Sequence, residues 1–212
     1  FLAERLEEGK ATVQGVDHIP FARHGSTAFR AAFPTELRGK QGVEATVVIA
    51  MHGAGGSENM FFESYGRGMA AKEALNRGWV FMAPRTGTRA AQDCLDWLRD
   101  VRKIKATKVF VMGHSMGGGA ALSAGLLNPK ATAIGLFAPA AGSAPKSAMN
   151  LPIFLAVGKQ ELGAVRGGVG SLAREWASRS DFKFEEYDPC EHLMVVAEGL
   201  PSAYAFFDKY AR

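Results

Sequence analysis

Short runs of consecutive apolar residues alternate along this chain with segments whose apolar positions recur at helical spacing. Ala45–Met51 (ATVVIAM), Trp79–Ala83, Lys108–Met112, Ala133–Ala138 and Ile153–Val157 carry the pattern of strands covered on both faces. Between them, Met60–Leu75 predicts a helix that stops at Arg77-Gly78. Ala91, Leu95, Leu98 and Val101 share one face of a second helix. Met116–Leu127, made mostly of Gly, Ala and Ser, predicts a third, and Val165, Val169, Leu172 and Trp176 form the stripe of a fourth. Phe182–Tyr187 is the last predicted strand, and Pro201 suits the start of a closing helix that runs to about Tyr210. Ahead of all these, His18–Ala22 and Thr27–Phe33 flank the turn His24-Gly25-Ser26 and predict a hairpin. The expected class is therefore α/β: a mostly parallel central sheet, an N-terminal antiparallel hairpin at its edge, and helices on both faces. In such a sheet, ligands bind beyond the carboxyl ends of the strands.

Composition narrows the class. A chain of 212 residues, 47% hydrophobic and 22% charged, suits one folded domain over residues 16–212, with 1–15 as a polar lead-in. The net charge of +4 is spread thinly. Its one cluster, Arg99, Arg102, Lys103, Lys105 and Lys108, surrounds a predicted helix end, where cations are favoured, and no alternating aromatics suggest nucleic-acid binding. No apolar stretch reaches the roughly 20 residues of a membrane span. The two cysteines, Cys94 and Cys190, are too few for a disulfide scaffold and read as separate thiols. With Phe1 in place of an initiator Met, the chain reads as processed or trimmed; no signal peptide is visible, and a secreted or periplasmic location is left open.

The candidate chemistry lies at the predicted strand ends. Strand Lys108–Met112 runs into Gly113-His114-Ser115-Met116-Gly117, a G-x-S-x-G turn between a strand and a small-residue helix. The chain must turn sharply there, which presents the Ser115 hydroxyl as a nucleophile. Strand Ala45–Met51 ends in His52-Gly53-Ala54-Gly55-Gly56-Ser57. Acyl transfer needs two backbone N–H groups aimed at the developing oxyanion; Met116 and Ala54 are the expected donors. His52 reads as structural. Among the histidines, His192, in the loop after the last strand, can return to the same sheet end as general base. The acid that orients it falls between serine and histidine in chain order. Glu161, after strand Ile153–Val157, leads, and Asp188 competes.

These motifs resemble those of the α/β-hydrolase superfamily over nearly the whole chain. The run His52–Met60 (HGAGGSENM) is similar to the oxyanion segment of feruloyl-esterase and polyhydroxybutyrate-depolymerase-like esterases, and to dienelactone-hydrolase and prolyl-oligopeptidase-type domains. The resemblance implies an α/β-hydrolase fold and a triad of Ser115, Glu161 and His192. That family usually carries Asp where this chain has Glu161.

The expected function is a serine carboxylesterase acting on a small-molecule or polymeric ester, of feruloyl, aryl or polyester type, with no cofactor and no metal. The alternatives are a peptidase-like or acyltransferase domain with the same triad, and a catalytically silent binding domain. Only the stretch Pro139–Asn150 separates two predicted strands, which leaves no room for a cap domain and implies an open cleft. Phe61, Phe62, Met116, Leu162 and Met194 are the expected apolar lining.

Overall fold

The computed structural model describes residues 11–13, 16–85, 87, 89–128, 130–141 and 150–212. Nine strands are described: β1 (Ala11–Val13), β2 (Val16–His24), β3 (Thr27–Phe33), β4 (Val43–Met51), β5 (Val80–Pro84), β6 (Ile104–His114), β7 (Ala131–Phe137), β8 (Ile153–Gly158) and β9 (Phe182–Tyr187). They form one open sheet in the order β1-β2-β3-β5-β4-β6-β7-β8-β9. The predicted hairpin is the antiparallel pair β2–β3, and β3 pairs antiparallel with β5. From β5 to β9 all neighbours are parallel.

The apolar runs are continuous because helices cover both faces. On β4, Val47, Ile49 and Met51 pack with α2 (Ala90–Asp100), α3 (Met116–Leu127) and α4 (Gly163–Trp176). Val48 and Ala50 face the opposite core, built with α1 (Met69–Asn76) and α5 (Met194–Asp208). This is the α/β-hydrolase architecture. The chain leaves β4 towards β5 on one side and β6 on the other, so the sheet order reverses at β4 and a crevice opens at the carboxyl ends there.

Two predicted helices are corrected. The segment Met60–Leu75 is not one helix. Met60–Ser64 is a single wide turn, Tyr65–Gly68 a tight one, and α1 starts only at Met69. Gly66, Arg67 and Gly68 take positive φ (57°, 54° and 74°), which folds the chain back so far that a side chain on Gly68 would lie 2.4 Å from the Phe62 carbonyl oxygen. The closing helix begins at Met194, with Pro201 in its interior. Burial of Val195, Val196, Leu200, Ala203, Tyr204 and Phe207 continues across the proline and offsets the single backbone hydrogen bond it removes. Cys94 and Cys190 are both buried and unbonded. Most of the lead-in, and residues 142–149 of the stretch expected to lack a cap, lie outside the described residues. No helix among the described residues is long and apolar enough to cross a membrane.

The α5 core is anchored by Phe110, fully buried and stacked between Trp79 (centroids 5.1 Å) and Phe207 (4.6 Å). Phe110→Ala is expected to cost about 3–5 kcal/mol, read as a lower urea midpoint with an unchanged slope.

Candidate active site

A single residue turns the chain from β6 into α3. Ser115 sits at φ 55° and ψ −121°, a conformation that costs a residue with a Cβ roughly 1–3 kcal/mol. Backbone hydrogen bonds hold it there. Its N–H donates to Phe137 O (3.0 Å), and its carbonyl accepts from Gly118 N (2.9 Å) and Ala140 N (2.8 Å). The flanking glycines are sterically required. A Cβ on Gly113 would stand 2.0 Å from Gly117 O, and one on Gly117 would stand 2.2 Å from Met51 O. Met116 opens α3, so its N–H has no carbonyl partner one turn back in the helix.

The loop His52–Gly56 lies beside this turn, at the end of β4, with Ala54 exposed on it. His52 is buried, with Nδ1 2.8 Å from Gly53 O, so that Nδ1–H donates. The segment that follows is tied down by two arginines. Arg85 makes a two-pronged pair with the buried Glu58 (2.9 Å at both oxygens). Burial alone would push the Glu58 carboxyl up, but the Arg85 guanidinium, the residue's own backbone N–H and nearby His52 together outweigh it, and the net displacement is downward. Arg30 donates to Asn59 Oδ1 (2.8 Å), pairs with Glu63 and stacks on Phe62 with its guanidinium carbon 4.5 Å from the ring centre.

The structure brings Glu161 and His192 together. His192 Nδ1 lies 2.8 Å from Glu161 Oε2, and the Glu161 side chain is fully buried. Its other oxygen accepts from Leu162 N (2.8 Å). A carboxylate there makes Nδ1 the protonated nitrogen of His192 and leaves Nε2 as a base. Two loops pack backbone to backbone to make this pair. Gln160 N donates to Cys190 O (2.9 Å), and Gly158 approaches so closely that a Cβ would lie 2.2 Å from that same oxygen. Asp188 turns outward, with its side chain 56% exposed and bonded to Lys159 Nζ (3.1 Å). Among the described residues, Ser115 Oγ makes no hydrogen bond to the His192 ring.

His114, which the sequence presents only as the variable residue before the serine, links the two halves. It is buried; its Nδ1 lies 2.7 Å from Tyr65 Oη and its Nε2 2.8 Å from the backbone carbonyl of His192. The His114 and His192 rings are 4.6 Å apart. Burial, and then the neighbouring His192, lower the His114 imidazole to about 4, so the ring is neutral at ordinary pH. Among the described residues, no group of three His, Cys, Asp or Glu side chains is placed to hold a metal ion.

A family model for serine aminopeptidases of the S33 type matches residues 83–189, which is half of the chain. The chain belongs to this S33 family of α/β hydrolases. No curated protein matches it. Solved structures share the S33 hydrolase's fold at low identity. An S-formylglutathione hydrolase from Agrobacterium tumefaciens is 14% identical with a TM-score of 0.71, covering 96% of this chain and 98% of its own. A dienelactone hydrolase from Anabaena variabilis is 18% identical (TM-score 0.66; 94% and 100% covered). An esterase from Pyrococcus furiosus is 12% identical (TM-score 0.68; 93% and 91% covered).

Around the S33 hydrolase's site, Met116, Leu162, Leu193 and Met194 are exposed, each one or two positions from Ser115, Glu161 or His192. A cavity of about 460 Å³ starts at Met116 and follows α3 past Ala120 and Ser123 to Leu127. Phe61 does not line it. Phe61 is buried in the core, edge-on to Tyr65, and Phe62 packs beneath Arg30 and against Phe81.

The strained turn has a measurable consequence. Ser115→Gly, which removes the Cβ, is expected to raise stability by about 1 kcal/mol relative to Ser115→Ala in paired denaturant titrations.

Proposed function

We propose that this chain is a carboxylesterase with Ser115 as nucleophile, His192 as general base and Glu161 as the acid that orients it. The observation that carries the reading is the 2.8 Å bond from His192 Nδ1 to the buried Glu161 carboxylate, on loops seated against the strained turn at Ser115. In this reading the Ser115 oxygen attacks the ester carbonyl while His192 Nε2 takes its proton. The negative charge that develops on the carbonyl oxygen is met by the N–H groups of Met116 and Ala54. His192 then returns the proton to the leaving alkoxide, the alcohol departs, and an acyl-Ser115 ester remains. Water, deprotonated by His192, hydrolyses that ester and restores the serine. Glu161 stabilises the imidazolium in both halves and stays ionised. The exposed apolar rim at Met116, Leu162, Leu193 and Met194 favours an ester whose acyl or aryl part is apolar.

The family description, serine aminopeptidase, favours a second reading in which the same groups cleave an amide. Aminoacyl p-nitroanilides assayed beside p-nitrophenyl esters separate the two. Faster turnover of the anilides replaces the esterase reading with the aminopeptidase one.

Purified protein is expected to hydrolyse p-nitrophenyl acetate, and Ser115→Ala to lose about 10⁴-fold or more in kcat. A fluorophosphonate should label the wild type at Ser115. An active Ser115→Ala variant would sink the mechanism. Glu161→Gln should lose about 10³–10⁴-fold, the scale of a triad acid, while Asp188→Asn stays within about twofold of wild type. The reverse pattern would make Asp188 the acid.

A further inference from the structure

We propose that His114 is a positioning residue for His192, gripping the backbone carbonyl of that residue at the end of a one-way hydrogen-bond chain that begins at the buried Tyr65 hydroxyl. The proposal rests on the reading of His192 as the general base.

The direction of the chain follows from what each group can do. The His192 carbonyl only accepts, so the proton between it and His114 sits on Nε2 of His114 (2.8 Å). With the ring neutral, Nδ1 carries no proton and must accept, and its partner at 2.7 Å is the Tyr65 hydroxyl, which therefore donates. Burial keeps the Tyr65 phenol protonated. One arrangement of protons satisfies these three groups: Tyr65 O–H to His114 Nδ1, and His114 Nε2–H to His192 O.

Two features suit this chain to its place. Gly53 packs tightly against it, since a Cβ would lie 3.0 Å from His114 Nδ1 and 3.2 Å from Ser115 Cβ. The other is charge. His192 becomes cationic when it takes the serine proton, with the His114 ring 4.6 Å away. A neutral donor at that distance holds the base in place without opposing its charge, which a second cation would do.

The test compares His114→Gln, His114→Leu and Tyr65→Phe in the full chain, each checked for cooperative thermal unfolding. A glutamine amide can reach the His192 carbonyl as an uncharged donor; leucine cannot. With p-nitrophenyl acetate, His114→Leu is expected to lose roughly 10–100-fold in kcat, the cost of a base displaced by about 1 Å, with KM within about twofold. His114→Gln should recover most of that loss, and Tyr65→Phe should fall between them. Imidazole NMR of the wild type should show His114 as the neutral Nε2–H tautomer at pH 7 and still at pH 5. A fully active leucine variant, a glutamine variant as impaired as leucine, or an Nδ1–H tautomer in the wild type each overturns the proposal. If His114→Leu fails to fold, Gln and Phe carry the comparison. The tautomer reading needs no turnover, so a wild type that neither hydrolyses esters nor takes up the fluorophosphonate would break the esterase reading alone.

Discussion

The site depends on one close approach: the start of α3 crosses the end of β4 with no side chain between them. Gly117 lies where a methyl group would meet the carbonyl oxygens of Met51 and His52 at 2.2 and 2.3 Å. Because α3 sits so low, β6 must turn into it within one residue, and that residue is forced to positive φ. The same crossing sets the His52–Gly56 loop beside the first N–H groups of α3. The sharp turn at Ser115, its strain and the facing amide N–H groups are thus one geometric fact with three consequences. The backbone bonds from Phe137 and Ala140 to Ser115 bring in β7 as well, so three strands hold the turn. A strained conformation persists only where its surroundings over-determine it, and here they do.

Opposite this turn the packing is also backbone to backbone. Gly158 against Cys190 lets the loops after β8 and β9 share hydrogen bonds, and their side chains meet in a buried ion-pairing position. A fully buried carboxylate is stable only when its oxygens have partners, and Glu161 has two, the His192 ring and Leu162 N. His114 then joins this half to the turn at Ser115 through the His192 carbonyl and not through its ring, so the bond leaves His192 Nε2 unused.

Much of this was legible in the order of residues. The strands announce themselves as apolar runs because both faces are covered, and G-x-S-x-G announces itself because two glycines are needed to cross. Where legibility failed, the cause lay in contacts distant in sequence or in backbone angles. Met60–Leu75 keeps helical spacing, yet Gly66-Arg67-Gly68 folds back at positive φ; periodicity reports which side chains are buried and not which way the backbone turns. Pro201 looks like a helix start because it cannot donate, but seven helical residues before it are held by apolar burial. Glu161 and Asp188 each follow a strand, so residue order leaves both open; in the structure Glu161 turns inward to His192 and Asp188 turns outward to Lys159. His114 carried no signal, since Tyr65 and His192 lie 49 and 78 residues from it.

The apolar rim shows why mechanism is better defined here than substrate. Met116, Leu162, Leu193 and Met194 flank Ser115, Glu161 and His192 at the carboxyl end of the sheet, where a side chain that does not turn in meets solvent. Geometry therefore explains why positions 116, 162, 193 and 194 are exposed, but not why they are Met, Leu, Leu and Met. Polar residues would be easier to hydrate at those positions, and single exposed apolar residues elsewhere on the surface need no explanation. Four of them lie within two positions of Ser115, Glu161 or His192, and a cavity leads away from Met116 along α3. In the proposed reading, the rim favours an apolar group next to the scissile bond. It contains nothing that would measure the length of that group or read the alcohol on the other side.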